Sequence, residues 1–137
     1  DFFTPLHLGK FLVFINSPLT ERHIVSLAGR ESSSYAQYKV KKLTDSRATD
    51  CNRYEAVNLC NAKTIEVRIF KGTLNPTHIL ANIEFCHAVA LWSRDVSSQA
   101  CEDWDSFWAF VLLNRKNYDR LIQFLAGKRH TVTGAER

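Results

Sequence analysis

The chain has 137 residues, of which 45% are hydrophobic and 23% are charged. This composition is typical of one soluble globular domain and excludes a largely disordered chain. The formal net charge of +4 is compatible with a polyanionic partner but does not require one.

Motifs that would point to a membrane or to a bound metal are missing from the sequence. There is no run of about 18 apolar residues and no charged-then-apolar leader, so we expect neither a membrane span nor a signal peptide, and a cytoplasmic location. The four cysteines lack a Cys-x-x-Cys pair and the five histidines lack metal-binding spacings. We therefore expect reduced, mostly buried thiols, and histidines that serve as surface or packing residues.

The first part of the chain predicts two helices and a connection. Apolar residues recur at helical spacing over residues 5–15, which predicts the first helix. Thr20 is a candidate N-cap for a short second helix, and Gly29 is its expected end. Residues 31–50 show no clear period, so we predict a partly extended connection, and loops of this length are often lids or binding segments.

Two strands are predicted next. Residues 53–59 and residues 64–73 are β-prone and are separated by four residues, which favours an antiparallel hairpin. In the second strand, apolar residues alternate with Glu66 and Arg68, so one face is apolar and the other is charged. Because two strands alone are marginal, either residues 31–50 or missing parts of a longer chain should complete the sheet.

Three further helices complete the prediction. Asn75 should cap a helix that begins at Pro76 and runs to about residue 94. Its expected buried face comprises Ile79, Ile83, Cys86, Val89 and Ala90. An aromatic stripe over residues 103–114 predicts a helix packed on the core, and a last helix should start near residue 117 and stop at Gly127. The predicted fold class is α+β, with several helices packed against one face of a small antiparallel sheet at about residues 53–70.

The charged face of the hairpin is where we look for chemistry. Opposite charges on a β-prone strand face solvent, pair with each other or hold a ligand. Arg53 on the preceding strand favours the last of these interpretations. The sheet could then present Arg53, Asn58, Glu66 and Arg68 close together.

The residues of this hairpin also carry a family resemblance. The pattern Arg-Tyr-x-Ala-Val-Asn-Leu, a short gap, Thr-Ile-Glu-x-Arg-Ile-Phe-x-Gly-Thr-Leu and then a long helix resembles the C-terminal part of the amidoligases, from about Arg53 to Arg94. These bacterial and phage carboxylate-amine ligases are related in fold to glutamine synthetase. The resemblance implies that residues 1–137 are a single domain, a C-terminal fragment of a longer ligase.

The resemblance also implies roles for individual residues. ATP would activate a carboxylate as an acyl phosphate, with Mg²⁺ held by carboxylates and the phosphates held by cations. Glu66 matches the Mg²⁺ ligand, and Arg68 matches the arginine near the transferred phosphoryl group, so these two are the catalytic candidates. Arg53 is implied to contact nucleotide phosphate together with Arg68, and Asn58 is implied to make an orienting hydrogen bond in the nucleotide site.

The implied partners follow from the same reaction. They are small-molecule or peptide carboxylate and amine substrates, the missing N-terminal part of the parent chain, and further copies in a homo-oligomer. Because no strand before Arg53 carries paired glutamates, we expect the parent protein to be the enzyme and the isolated chain to be inactive.

Two alternatives remain open from the residues. The basic stretch Lys39, Lys41, Lys42 and Arg47 is compatible with a nucleic-acid-binding or replication-associated module. A non-catalytic interaction domain on the same fold would explain the incomplete set of carboxylates. A membrane partner is not expected.

Overall fold

The structure, a computed structural model, describes residues 2–33, 36–47, 54–61 and 64–136, with side chains in the last range up to Gly127. Five helices and two short strands form in this part of the chain. In chain order they are α1 (Pro5–Asn16), α2 (Glu21–Ala28), β1 (Val57–Asn58), β2 (Glu66–Val67), α3 (Pro76–Asp95), α4 (Trp104–Leu113) and α5 (Asp119–Glu136). Two 3-10 turns lie at Leu43–Arg47 and Ser98–Ala100.

The first two helices form where the sequence predicted them. The Thr4 hydroxyl accepts a hydrogen bond from the His7 backbone N–H and caps α1. Gly29 ends α2 in the left-handed conformation (φ 78°), which glycine adopts without a Cβ penalty. Thr20 is the N-cap residue of α2, as predicted, but its hydroxyl donates to the Phe14 carbonyl at 2.6 Å instead of accepting from the helix.

The hairpin forms with the predicted antiparallel direction but is shorter than expected. Val57 pairs with Val67, and Asn58 pairs with Glu66. Before β1, Gln37 forms an isolated parallel bridge with Glu55, outside the two-stranded sheet. The described part of residues 31–50 therefore adds no strand to the sheet, and completion of the sheet by parts of a longer chain stays a prediction.

The long helix α3 is capped as predicted. The Asn75 side chain accepts hydrogen bonds from the first free backbone N–H groups of the helix, and Pro76 is the first helical residue. The predicted buried face is wrong in part, because Ile79 and Ile83 are 41% and 59% exposed. The buried stripe instead comprises Ala81, Phe85, Ala88, Val89 and Trp92.

The remaining helices close the core. In α4, Phe107 and Val111 are buried, as the aromatic stripe predicted. The last helix continues through Gly127 to Glu136, so the predicted stop is wrong. A single glycine costs a helix only about 1 kcal/mol relative to alanine, which is too little to end it by itself.

Aromatic side chains from three helices meet at the centre of the core. The ring centroid of Phe14 lies 4.8 Å from that of Trp92 and 5.0 Å from that of Phe107. These three rings join α1, α3 and α4 in one hydrophobic cluster with Val57 and Ile69 of the hairpin. The fold is therefore α+β, as the sequence predicted. Within the part of the chain described, no helix combines the length and apolar character needed to cross a membrane.

Two residues of α1 make tertiary contacts that the sequence did not predict. Gly9 lies directly against the Leu43 carbonyl, so that a Cβ built at Gly9 would be 2.2 Å from that oxygen. Lys10 is buried, and its Nζ donates to the carbonyls of Val96 at 2.7 Å and of Arg94 at 3.2 Å. These contacts join α1 to the basic segment and to the end of α3.

The cysteines differ in their chemical state. Cys60 is disulfide-bonded, so the expectation that all the thiols are reduced is wrong. Cys86 and Cys101 are free. Burial raises the pKa of the Cys86 thiol from 9.0 to about 12, because an apolar environment disfavours the thiolate.

This shift predicts a loss of stability at high pH. Between pH 9 and 12 the thiol ionises in the unfolded chain but stays neutral in the folded one, so the unfolded state is favoured as the pH rises. At pH 10.5 this single group should lower the free energy of unfolding by about 2 kcal/mol relative to pH 7. Urea unfolding of the wild type and of Cys86→Ala over this range measures the effect. The variant should lose correspondingly less stability, and parallel pH profiles would contradict the assignment.

Candidate functional site

The hairpin sets Glu66 and Arg68 on one face, where they form an ion pair. Arg68 Nη1 lies 2.7 Å from Glu66 Oε1, and the two side chains are 45% (Glu66) and 30% (Arg68) exposed. Exposed pairs contribute about 0–1 kcal/mol, so rearranging this pair to hold a ligand costs little. The ion pair is one of the arrangements that the alternating charges predicted.

Asn58 lies opposite Glu66 in the strand register. Its side chain is 5% exposed, and Oδ1 accepts a hydrogen bond from the Cys60 backbone N–H at 2.9 Å. Asn58 therefore shapes the start of the hairpin turn. The structure thus brings Asn58, Glu66 and Arg68 together, whereas Arg53 lies outside the described residues.

A second arginine supports this strand and was missed in the sequence. Arg30 Nε donates to the Ile69 carbonyl at 3.2 Å, and Nη2 donates to the Arg68 carbonyl. The left-handed turn at Gly29 directs Arg30 from the end of α2 toward the strand. Through these hydrogen bonds, Arg30 fixes the backbone at Arg68 and places a second guanidinium beside that strand. The only sequence signal was an arginine directly after a helix-ending glycine.

The basic segment is attached to the rest of the protein. Lys41 Nζ lies 3.1 Å and 3.0 Å from the two carboxylate oxygens of Glu55, and Lys39 Nζ lies 3.9 Å from one of them. The Lys39 backbone N–H also donates to the Asn16 side chain at 3.0 Å. Because Glu55 neutralises part of this stretch, the segment presents less free positive charge than the sequence suggested.

The set of possible metal ligands near Glu66 is small. Within the described ranges, no three His, Cys, Asp or Glu side chains come together as a metal site. Mg²⁺ is commonly held by one or two carboxylates together with substrate phosphates and water. Glu66, an exposed carboxylate on the hairpin, fits the protein's share of such a site.

Comparison with known proteins identifies one family. The family model described as "Putative amidoligase enzyme" matches residues 18–90, which is more than half of the chain. The matched range contains α2, the hairpin and most of α3. No curated protein and no solved structure gives a significant match.

Proposed function

Since the chain belongs to the amidoligase family, we propose that it forms part of an ATP-dependent carboxylate-amine ligase that works through an acyl phosphate. One observation carries this proposal. Glu66 and Arg68 stand together on the exposed face of the hairpin, inside the segment that matches the family. A carboxylate beside a guanidinium is the combination that phosphoryl transfer to a carboxylate uses.

The proposed reaction has two steps. A carboxylate oxygen of the first substrate attacks the γ-phosphorus of ATP, the bond to the β-phosphate oxygen breaks, and ADP leaves. The amine of the second substrate then attacks the acyl carbon, inorganic phosphate leaves, and the nitrogen loses a proton as the amide forms. In the first step negative charge develops on the transferred phosphoryl group and on the leaving oxygen of ADP. In the second step it develops on the acyl oxygen and passes to the leaving phosphate. A fixed guanidinium stabilises the charge at the phosphate oxygens.

The residues of the hairpin take separate roles in this scheme. Arg68 would contact the transferred phosphoryl group, and Arg53 would contact a nucleotide phosphate. Arg30 is a positioning residue, because it holds the Arg68 backbone. Asn58 would keep the turn in place through its bond to the Cys60 N–H.

Glu66 is the residue that would hold Mg²⁺. When bound, Mg²⁺ supplies positive charge at the phosphate oxygens. We place the remaining metal-binding carboxylates in other parts of a longer parent chain, of which this domain is a C-terminal fragment. The proposed enzyme works in the cytoplasm, where ATP is available.

Calorimetric titration with a non-hydrolysable ATP analogue and Mg²⁺ tests the proposal. We expect Glu66→Ala and Arg68→Ala each to weaken binding about tenfold or more, which corresponds to about 1.4 kcal/mol. Folding is checked by circular dichroism.

The matched controls are Asp95→Ala and Arg94→Ala, which remove the two partners of another exposed ion pair, 3.6 Å apart at the end of α3. These variants should bind like the wild type. Equal affinity in the wild type and all four variants would remove the nucleotide site from this hairpin.

A further inference from the structure

Two cations, Arg30 and Lys71, lie at the end of α2, and each keeps N–H donors that no described residue accepts. Arg30 directly follows the glycine that ends the helix. Its Nε and Nη2 donate to the carbonyls of Ile69 and Arg68. Its third nitrogen, Nη1, has no hydrogen-bond partner in the part of the chain that the structure describes.

The backbone and the methylene stem of Lys71 are fixed at the same place. The Lys71 backbone N–H donates to the Ala28 carbonyl at 2.8 Å. The position that a Cβ would take on Gly29 lies 3.5 Å from Lys71 Cβ and 3.7 Å from its Cδ, so the stem packs against the glycine. Lys71 is exposed, and its Nζ forms no hydrogen bond or ion pair within the described ranges. Its side chain therefore starts beside the residue that precedes Arg30, with the ammonium group available for a ligand.

Capping of the helix does not account for these donors. The Leu27 carbonyl accepts a hydrogen bond from His78 Nε2 at 3.0 Å. The Ala28 carbonyl is taken by the backbone N–H of Lys71. A cation near this end gains about 0.3–1 kcal/mol from the helix dipole, but the two last carbonyls of α2 already have partners. Lys71 Nζ and Arg30 Nη1 are thus not required for the end of the helix.

Positive charge exceeds negative charge where α2 meets the hairpin. Glu66 is paired with Arg68, and the exposed Glu31 forms no ion pair with Arg30 or Lys71. Three cations therefore stand against two carboxylates. Because Lys71 follows Arg68 by three residues, their Cα atoms are at most about 11 Å apart, and one chain of phosphates can contact both side chains. Guanidinium and ammonium groups bind phosphate oxygens through charge-assisted hydrogen bonds.

We propose that Lys71 and Nη1 of Arg30 bind the phosphate chain of the nucleotide, next to Arg68. The identification of the ligand as a nucleotide rests on the proposed function, whereas the binding of a polyphosphate by these two residues does not. Lys71 supplies a point charge on a flexible stem. Arg30 supplies a donor whose direction is fixed by its two hydrogen bonds to the strand. The phosphate chain then lies between the hairpin and the end of α2.

The probe for this site is inorganic tripolyphosphate, titrated without Mg²⁺ into the ¹⁵N-labelled chain and followed by amide NMR shifts. We expect saturable shifts at the end of α2 and in the segment after β2, at Gly29, Arg30, Lys71 and Gly72. Lys71→Met keeps most of the stem but removes the charge, and should bind at least tenfold more weakly. Lys71→Arg keeps the charge and should bind within threefold of the wild type, whereas Arg30→Gln should bind at least threefold more weakly. Circular dichroism confirms that each variant is folded.

Lys116→Met is the matched control. It makes the same substitution at an exposed lysine in the turn between α4 and α5, and should bind tripolyphosphate like the wild type. Three results would overturn the assignment: no saturable binding by the wild type at millimolar tripolyphosphate, unchanged affinity in Lys71→Met, or equal weakening in Lys116→Met. Lower stability of Lys71→Met with unchanged affinity would leave Lys71 a role at the helix end alone.

This proposal and the proposed function fail separately. Tripolyphosphate binding is measured without Mg²⁺, so it does not depend on Glu66 as a metal ligand. Weaker tripolyphosphate binding by Lys71→Met, with nucleotide affinity unaffected by Glu66→Ala and Arg68→Ala, would keep the phosphate site and remove the ligase site. Unchanged tripolyphosphate affinity in Lys71→Met, with nucleotide binding weakened by Glu66→Ala, would keep the ligase site and remove Lys71 from it.

Discussion

Gly9→Ala is expected to lower the free energy of unfolding by about 3 kcal/mol. A Cβ at this position would lie 2.2 Å from the Leu43 carbonyl oxygen and 3.0 Å from its carbon. Both groups are backbone, so neither can rotate away as a flexible side chain would. The chain must separate α1 from the 3-10 turn at Leu43–Arg47, with loss of the packing between them. Urea unfolding followed by circular dichroism measures the change.

Gly127→Ala is the matched control for this prediction. It makes the same substitution inside α5, where an added Cβ meets no atom of the described residues within 4 Å. Alanine should stabilise that helix by up to about 1 kcal/mol, because it restricts the unfolded chain more than glycine does. The two variants should therefore move the unfolding midpoint in opposite directions. A neutral or stabilising Gly9→Ala would show that α1 and the turn do not touch as described.

Lys10→Met is expected to lower the free energy of unfolding by about 3 kcal/mol. The substitution removes two charge-assisted hydrogen bonds and a cation that the dipole at the C-terminal end of a helix favours. Lys10 is 6% exposed, and its Nζ donates to the carbonyls of Arg94 and Val96. These carbonyls belong to the C-terminal end of α3, where acceptors lack partners within the helix and the dipole favours a cation. Methionine preserves most of the volume but leaves both carbonyls without this donor.

Lys42→Met is the control for that substitution, because Lys42 is exposed. It should change the free energy of unfolding by less than about 0.5 kcal/mol. Raised salt should leave the difference between the two variants nearly constant, since a buried ammonium is poorly screened. A small effect of Lys10→Met would mean that the end of α3 is satisfied by other groups.

Several helix ends could be read directly from residue types. Asn75 and Pro76 start α3, and Gly29 ends α2, because capping and backbone conformation depend on a few neighbouring residues. Gly127 was misread by the same rule. A glycine ends a helix only when the left-handed turn is more favourable than continued helix, and here the helix continues.

The candidate site also combines a feature that the sequence predicted with contacts that the sequence could not predict. Alternation along the chain predicted that Glu66 and Arg68 share a face, and their ion pair confirms it. Arg30 could not be placed in this way, because it is 38 residues from the carbonyl of Arg68 that it contacts. The ion pairs of Lys39 and Lys41 with Glu55 are likewise contacts between segments distant in sequence.

Residue types and their local spacing were thus sufficient to predict the start of α3, the end of α2, the direction of the hairpin and the family. The packing of distant segments decided which stripe of α3 is buried. Two stripes of that helix, one through Ile79 and Ile83 and one through Ala81 and Phe85, both repeat at helical spacing, so periodicity could not choose between them. The second is buried because it carries Ala81 and Ala88, which let neighbouring helices approach closely, and Phe85 and Trp92, which fill the space that remains.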